Sequence, residues 1–341
     1  MWYLLFYLAI TLFNIPHLTW GGEITSVSEQ KNTVYGFRNY AGYGGMILFA
    51  LVPILPFSEG TKVTPETMRY LVVVAAVLVL PTLYCLMRYV PASEQQGIPK
   101  TEAAENPYKS LLALRHNIPL VWFVGVMVLN SVAGAFYIGL KFMMMDAYLG
   151  QGQYYVHFLL FHLVVAALAI KPAMRVIAAV GKLRAIKIWG ILSLAAFASL
   201  SLVLLNNAAT LVLFALFNII WSFSSAIGNV AIFSLLSDVA DYGTLKTGVD
   251  RSAMCFSLQS LAGKTALAIG ISLSIALAGL MGFDPALAEQ GEQAFWALVI
   301  CMSIVPALLS LLVVILVERV GITESPPLSP IPPCQPSRRH C

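Results

Sequence analysis

Long apolar runs alternate with short polar segments along the whole chain. Nine of these runs have about the 20 residues that a helix needs to cross a bilayer. They occupy residues 1–19, 37–57, 68–88, 118–145, 152–173, 186–205, 208–236, 253–281 and 293–317. Most of them lack the polar face that helices of a soluble domain carry. The pattern therefore predicts an all-α, multi-pass membrane protein with about nine transmembrane helices.

The composition supports this class and argues against several others. Of 341 residues, 59% are hydrophobic and 11% charged, against about 25% charged in a typical soluble domain. The five cysteines are scattered and form no CxxC pair, which argues against a disulfide framework and a zinc site. No Walker loop or GxSxG elbow is present. We expect no enzymatic activity, no metal, no bound cofactor and no nucleic-acid partner.

Lys and Arg residues concentrate in alternate connections between the apolar runs. The opposite connections hold only Lys62 and Arg69. Positively charged loops stay on the cytoplasmic side of a membrane. The predicted topology therefore has an external N-terminus and a cytoplasmic C-terminus, in the plasma or inner membrane of the cell.

The longest polar connection spans residues 89–117. We interpret it as a cytoplasmic linker between a three-span part, residues 1–88, and a six-span part, residues 118–317. Residues 318–341 are proline-rich, and such segments are extended and unpacked. A six-plus-six transporter without its first three helices has this number of spans and this position of the linker.

Lys264 lies near the middle of the eighth apolar run. About twelve residues into a helix that rises 1.5 Å per residue, it is roughly 18 Å deep, close to the bilayer midplane. A charge at that depth costs at least about 2.5 kcal/mol, so it must face a water-filled cavity or an anionic partner. We predict a cavity residue, with a salt bridge inside the bundle as the alternative.

Other polar side chains lie at a similar depth in neighbouring runs. They are Thr11, Asn14, Asn130, Asn218, Trp221, Ser222, Ser224, Ser225, Asn229 and Gln259. Amides, hydroxyls, a cation and an aromatic ring together suit a polyhydroxylated ligand. For any single residue of the set, a hydrogen bond that joins two helices is the alternative.

Four further polar residues lie in the fourth and fifth runs. Lys141 and Asp146 are five residues apart and do not share a helical face, so we predict that they are interfacial. His157 and His162 are candidates for a proton relay. A histidine inside a span is more often hydrogen-bonded within the core, which is the alternative here.

The connection between the seventh and eighth runs is dense in charge. Asp238 and Asp241 are predicted to end the seventh helix, with Lys246 and Arg251 in the turn that follows. These charges can form ion pairs with other cytoplasmic loops when the cavity is closed on that side. Breaking the pairs would let the cavity open, as in alternating access. A solvated charged loop is the alternative.

Two glycines in the same connection, Gly243 and Gly248, permit a sharp reversal of the chain. The residues that we assign to this cytoplasmic gate are Asp238, Asp241, Tyr242, Gly243, Lys246 and Arg251.

Several motifs carry a resemblance to a known family. Residues 238–248, DVADYGTLKTG, resemble the cytoplasmic signature of the glycoside–pentoside–hexuronide:cation symporters, the melibiose-carrier-like branch of the major facilitator superfamily. That branch has a lysine in the next helix, where Lys264 stands. Residues 14–25 (NIPHLTWGGEIT) and 32–42 (NTVYGFRNYAG) are similar to its fourth-helix end and fifth-helix start. Residues 178–190 (AAVGKLRAIKIWG) resemble its basic loop between helices eight and nine.

The resemblance implies that the chain corresponds to helices four to twelve of a twelve-helix carrier. Thr11 then matches a position near the coupling cation, and Asn14 matches an acid that contacts the sugar beside that cation. Arg38 matches a sugar-contacting arginine, and Lys264 the central lysine of the cavity. Asn229 falls where the melibiose carrier has a sugar-stacking tryptophan.

The chain also departs from the family pattern. Asn14 removes a carboxylate from the cation site, and Asn229 in place of tryptophan argues for a solute other than melibiose. Ser252 stands where many members have glutamate. The paired acids of the family's second helix and the sugar-binding acid of its first helix have no counterpart in the sequence given.

These observations predict a secondary active transporter. The expected activity is cation-coupled symport, with Na⁺ or H⁺, of a sugar or glycoside-like solute by alternating access. The expected partners are that small molecule and the lipid bilayer. The alternative is an N-terminally truncated, non-transporting membrane remnant or regulatory subunit of the same fold, which the missing acids favour.

Overall fold

The residues that the structure describes are helical almost throughout. It is a computed structural model that describes residues 2–25, 27–51, 65–90, 107–205, 207–287 and 290–321. The helices are α1 (Trp2–Glu23), α2 (Ser28–Leu51), α3 (Pro65–Tyr89), α4 (Pro107–Leu114), α5 (Ile118–Met143), α6 (Tyr155–Val180), α7 (Lys182–Leu204), α8 (Thr210–Thr247), α9 (Ser252–Leu280), α10 (Glu292–Leu298) and α11 (Val305–Leu316). Short π-helical stretches, Met144–Tyr148 and Val299–Ile304, extend α5 and join α10 to α11. Single 3₁₀ turns, Gly152–Tyr154 and Val317–Val320, precede α6 and follow α11.

Within the described residues, seven helical stretches are long and apolar enough to cross a membrane, judged by length and composition. They begin with α3 and include α5 to α9 and the stretch from α10 to Val320. The helices α1 and α2 lie where the first two spans are predicted, with 22 and 24 residues, but are not among the seven. The predicted all-α, multi-pass class is confirmed.

The charged connection after the seventh run is where the predicted boundaries were wrong. The helix α8 does not end near residue 236 but continues for 38 residues to Thr247. Gly243 and Lys246 are therefore helical, and the reversal begins at Gly248, whose φ is 70°. Hydropathy marks where the chain leaves the apolar layer, whereas the helix itself continues until a residue adopts a left-handed conformation.

The six spans from α5 onward pack into one unit. The helix α5 lies along α9, α8 lies against α6 and α7, and α11 packs between α5 and α7. Small residues permit the closest approach. A Cβ on Gly270 of α9 would lie 2.5 Å from the Cβ of Ala135 on α5, so these two helices meet almost backbone to backbone.

The N-terminal helices pack less evenly against this unit. The helix α2 lies against α6 and α8, and α1 lies against α9. In contrast, α3 is exposed along most of its length, with Leu80 72% and Met87 75% exposed. Residues 91–106 of the predicted linker and 322–341 of the predicted tail lie outside the described residues. The division into an N-terminal part, a linker, a C-terminal half and a tail stays a prediction.

Candidate functional site

Thr11, matched to a position near the coupling cation, and Lys264, matched to the central lysine of the cavity, lie together between α1 and α9. The Lys264 Nζ atom donates a hydrogen bond to Thr11 Oγ1 at 2.8 Å. Both side chains are only partly buried. Among the described residues, no carboxylate forms a salt bridge with Lys264. The salt-bridge alternative for this lysine therefore has no support in the described part of the chain.

Asn14 and Arg38, the second pair of predicted site residues, join α1 to α2. The Arg38 Nη2 atom donates to Asn14 Oδ1 at 2.9 Å. The Arg38 Nε–H also points toward His17 Nδ1, at 3.5 Å. The guanidinium lies over the ring of Phe233 on α8, 5.5 Å from its centroid. Arg38 thus bridges the N-terminal helices and the six-span unit.

Asn229, the last predicted solute residue, lies on α8 and contacts α2. Its Nδ2 donates to the hydroxyl of Tyr43 at 3.0 Å. Trp221, whose ring the sequence offered for stacking on a solute, instead belongs to an aromatic cluster. Its ring centroid is 4.9 Å from that of Phe197 and 5.8 Å from that of Tyr137.

Several of the remaining polar candidates form hydrogen bonds between helices. Ser222 on α8 pairs with His162 on α6, with 2.8 Å between Ser222 Oγ and His162 Nδ1. Ser224 on α8 pairs with Ser193 on α7 at 2.7 Å. His157 is exposed and packs on a neighbouring tyrosine ring rather than on His162. This pattern matches the alternative reading of these residues as links between helices.

Lys141 is buried between the helices, and its predicted position near the membrane interface stays a prediction. It is 7% exposed, and its Nζ lies 5.5 Å from the ring centroids of both Tyr137 and Tyr155. Asp146 is exposed, as an interfacial residue would be. The sequence could not separate the two, because the position of α6 decides which face of the α5 end is covered.

The acidic residues of α8 form a cluster of ion pairs with lysines from two other helices. We name this end of the bundle the charged end, defined by Lys31, Lys182, Asp238 and Asp241. Lys31 on α2 pairs with Asp241 and with Asp238, the latter at 3.4 Å. Lys182 at the start of α7 pairs with Asp238 at 2.6 Å. The ion pairs expected for Asp238 and Asp241 are therefore present.

The lysines of the charged end are more deeply buried than the acids. The side chains of Lys31 and Lys182 are 1% and 5% exposed, against 19% for Asp238. Lys182 Nζ also donates to the Ser234 carbonyl oxygen at 3.3 Å, and Ser28 Oγ donates to Asp238 at 2.8 Å. Sequence reasoning did not assign these lysines to the gate. One indication of their role was present in the sequence, because Lys31 and Lys182 lie in basic connections predicted to be on the same side of the membrane as Asp238 and Asp241.

Comparison with known protein families identifies the family of this chain. The profile described as MFS/sugar transport protein matches residues 1–324. The chain belongs to this family. No curated protein matches it significantly. Membership in the MFS/sugar transport protein family confirms the resemblance found from the motifs and the membrane-transporter class. It favours a transporter of the sugar type over an enzyme.

The other predicted gate residues lie on the last turns of α8 and at the start of α9. Tyr242 and Lys246 are exposed on the last turns of α8. The Arg251 Nη1 atom donates to Thr247 Oγ1 at 3.5 Å. Gly243 faces Asn117, whose Nδ2 would lie 2.8 Å from an added Cβ. A cavity of about 100 Å³ lies between the end of α8 and the α4–α5 connection.

Both predicted cation ligands already accept hydrogen bonds from cationic side chains. Thr11 accepts from Lys264 and Asn14 from Arg38. In the described part of the chain, no group of three His, Cys, Asp or Glu residues is arranged to hold a metal ion. Hard cations prefer oxygen ligands that include carboxylates. The arrangement thus offers two neutral oxygens, each already engaged by a positive charge.

Proposed function

We propose that this protein carries a sugar-like solute across the membrane by alternating access, coupled to a cation. The observation that carries the proposal is the pair of contacts Lys264–Thr11 and Arg38–Asn14, at 2.8 and 2.9 Å. In each contact a cationic side chain donates a hydrogen bond to a neutral oxygen of α1. Membership in a family of sugar-type membrane transporters supports the same function.

The chemistry of these contacts suits exchange with solute hydroxyls. A hydrogen bond from a charged donor contributes about 1.5 to 3 kcal/mol, whether its acceptor is a threonine, an amide or a sugar hydroxyl. Lys264 and Arg38 can therefore transfer from protein oxygens to solute oxygens at little cost. The ring of Phe233, against which Arg38 lies, supplies a flat apolar surface nearby.

The same geometry suggests how a cation would couple to the solute. A Na⁺ ion on Thr11 and Asn14 would compete with Lys264 and Arg38 for the same oxygens. Two unit charges 4 Å apart repel by about 4 kcal/mol at an effective dielectric constant of 20. A solute that draws the two side chains away would free the oxygens and lower this repulsion. Solute and cation would then each favour binding of the other.

The charged end supports the rocking step. Its ion pairs connect α2 of the N-terminal part to α7 and α8 of the six-span unit. Alternating access requires contacts that form in one state and break in the other. We propose that these pairs hold that end closed while the solute site is reached from the opposite end.

Solute counterflow with the full chain in proteoliposomes tests the proposal. A panel of labelled monosaccharides and disaccharides is assayed in sodium and in choline media, and at two pH values. We expect Lys264→Met to lower counterflow about 10- to 100-fold, the loss of one charged hydrogen bond. Lys171→Met, which removes an exposed lysine of α6, should leave it unchanged. Normal counterflow by Lys264→Met would contradict the solute role of Lys264.

A non-transporting role in the same fold is the second candidate. The partial exposure of Thr11 and Asn14 favours it, because polar groups that face lipid are unfavourable. If the folded chain binds a sugar but supports counterflow with none of the panel, this second function is the better one.

A further inference from the structure

Lys141 is a buried cation far from the charged end. It lies 23 residues after Ile118, where α5 begins, which places it roughly 35 Å along the helix at 1.5 Å per residue. The side chain is 7% exposed and lies between the rings of Tyr137 and Tyr155. None of its described contacts involves the solute contacts of α1 and α9 or the ion pairs of α8.

The charge of Lys141 is not neutralised by any residue that the structure describes. None of the salt bridges or hydrogen bonds in the described ranges includes its Nζ. Cation–π contacts with two tyrosines offset only part of the cost of desolvating an ammonium group. Buried charges in proteins are normally paired. An anion that contacts Lys141 would complete this site.

A second, independent observation points to a ligand at the same place. The Tyr137 side chain is 2% exposed, and its hydroxyl is buried without a hydrogen-bond partner in the described structure. Tyr137 and Lys141 are four residues apart on α5 and share one face. Most buried polar groups are satisfied, so each orphaned atom needs an explanation.

We propose that Lys141 and the Tyr137 hydroxyl form a binding site for a small monovalent anion between α5 and α6. The ammonium supplies the charge and up to three donors, and the phenol supplies one more donor. The anion is either a free halide or the carboxylate of a small organic acid, since both present a compact negative charge. The site is distinct from the proposed sugar contacts, and its test does not depend on transport.

Thermal unfolding of the purified full chain in detergent tests the site. The reference buffer contains sodium with a bulky sulfonate, the anion of morpholinoethanesulfonic acid, at constant concentration and pH. This anion is replaced stepwise by chloride in one series and by acetate in another. We expect the Tm to rise by about 2 to 4 °C with a saturable midpoint, because a ligand that binds only the folded chain stabilises it.

Three variants connect the effect to the site. Lys141→Met should abolish the anion-dependent rise and, in sulfonate buffer, be at least as stable as the wild type, since it removes an unpaired buried charge. Tyr137→Phe should keep the rise but move its midpoint about 10-fold higher, the loss of one hydrogen bond to a charged group. Lys171→Met, on the exposed face of α6, should behave as the wild type.

The outcomes separate the sources of the anion. A rise with chloride alone identifies a halide site, a rise with acetate alone identifies a carboxylate site, and a rise with both identifies a general anion site. A Tm that does not depend on the anion in the wild type, or a rise that persists in Lys141→Met, overturns the proposal. If Lys141→Met does not fold, the Tyr137→Phe titration decides, and an unchanged midpoint overturns it.

Discussion

Lys31 and Asp238 are 207 positions apart in the sequence, and their ammonium and carboxylate groups lie 3.4 Å apart in the folded chain. Asp238 also pairs with Lys182 at 2.6 Å, so one carboxylate joins α2, α7 and α8. Both lysines are buried more deeply than the acid that they share. Loss of the Asp238 carboxylate would leave the buried Lys182 without its carboxylate partner and Lys31 with Asp241 alone.

This arrangement predicts that Asp238 contributes more to stability than Asp241. Removing one partner of a buried ion pair costs about 3 to 5 kcal/mol, because the remaining charge is left uncompensated. Asp238 has two lysine partners, whereas Asp241 pairs with Lys31 alone. We expect Asp238→Asn to lower the Tm of the purified protein more than Asp241→Asn does.

Glu29→Gln is the matched control for these changes. Glu29 is an exposed acid in the first turn of α2, at the same end of the bundle. Its neutralisation should shift the Tm little, as exposed charges contribute 0 to about 1 kcal/mol. Equal shifts for Asp238→Asn and Glu29→Gln would mean that the ion pairs do not stabilise the fold.

A second prediction concerns opening of the charged end. Ser237 is 2% exposed and its Oγ lies 3.4 Å from the Gly22 carbonyl oxygen, between α8 and α1. With the five native cysteines replaced by serine, Ser237→Cys should react slowly with a maleimide. Neutralising both Asp238 and Asp241 should speed this labelling several-fold, because the ion pairs no longer oppose opening.

Thr247→Cys supplies the control for labelling, since Thr247 is exposed at the end of α8. Its rate should be the same with and without the two acids. In a transport-competent chain, the double neutralisation should also change the rate of solute exchange more than the equilibrium affinity for solute. A large loss of affinity with normal exchange would argue against a gate.

A third prediction tests the close approach of α5 and α9. Gly270→Ala places a Cβ 2.5 Å from that of Ala135 and 3.4 Å from the backbone of Val132, so the helices must separate. Overpacking of this kind costs about 1 to 3 kcal/mol. We expect a lower Tm for Gly270→Ala and recovery in the double variant with Ala135→Gly.

Gly279→Ala, also on α9, meets nothing within 4 Å and serves as the control. Alanine is favoured over glycine within a helix by roughly 0.5 to 1 kcal/mol. The control variant should therefore be as stable as the wild type or slightly more stable. Failure of Ala135→Gly to rescue Gly270→Ala would show that the contact with Ala135 is not the cause.

A fourth prediction returns a carboxylate to the proposed cation site. Asn14→Asp places a negative charge 2.9 Å from Arg38 Nη2 and beside Thr11. The new carboxylate offsets the repulsion from Arg38 and supplies a hard-oxygen ligand. We expect Na⁺, compared with choline, to raise the Tm of Asn14→Asp more than that of the wild type.

Adding Thr11→Val to Asn14→Asp should remove this sodium effect, because it deletes the second proposed ligand while keeping the side-chain shape. A sodium effect that is equal in all three proteins would place the cation elsewhere in the chain.

The helices α5, α7 and α9 follow the predicted spans closely, because a bilayer demands about 20 consecutive apolar residues and this demand is local. The motif around Asp241 likewise led from sequence to the family that the profile match confirms. Thr11, matched to the cation site, and Lys264, matched to the solute cavity, meet in the folded chain, although their roles stay predictions.

Local patterns in the sequence were thus enough to predict the membrane class, most of the helical segments and the family. The continuation of α8 to Thr247, the burial of Lys141 and the sharing of Asp238 by Lys31 and Lys182 became known only from the folded chain. Hydropathy and helical periodicity are properties of neighbouring residues. The partner of a charge depends instead on which helices pack together, and the paired residues can be more than two hundred positions apart in the chain.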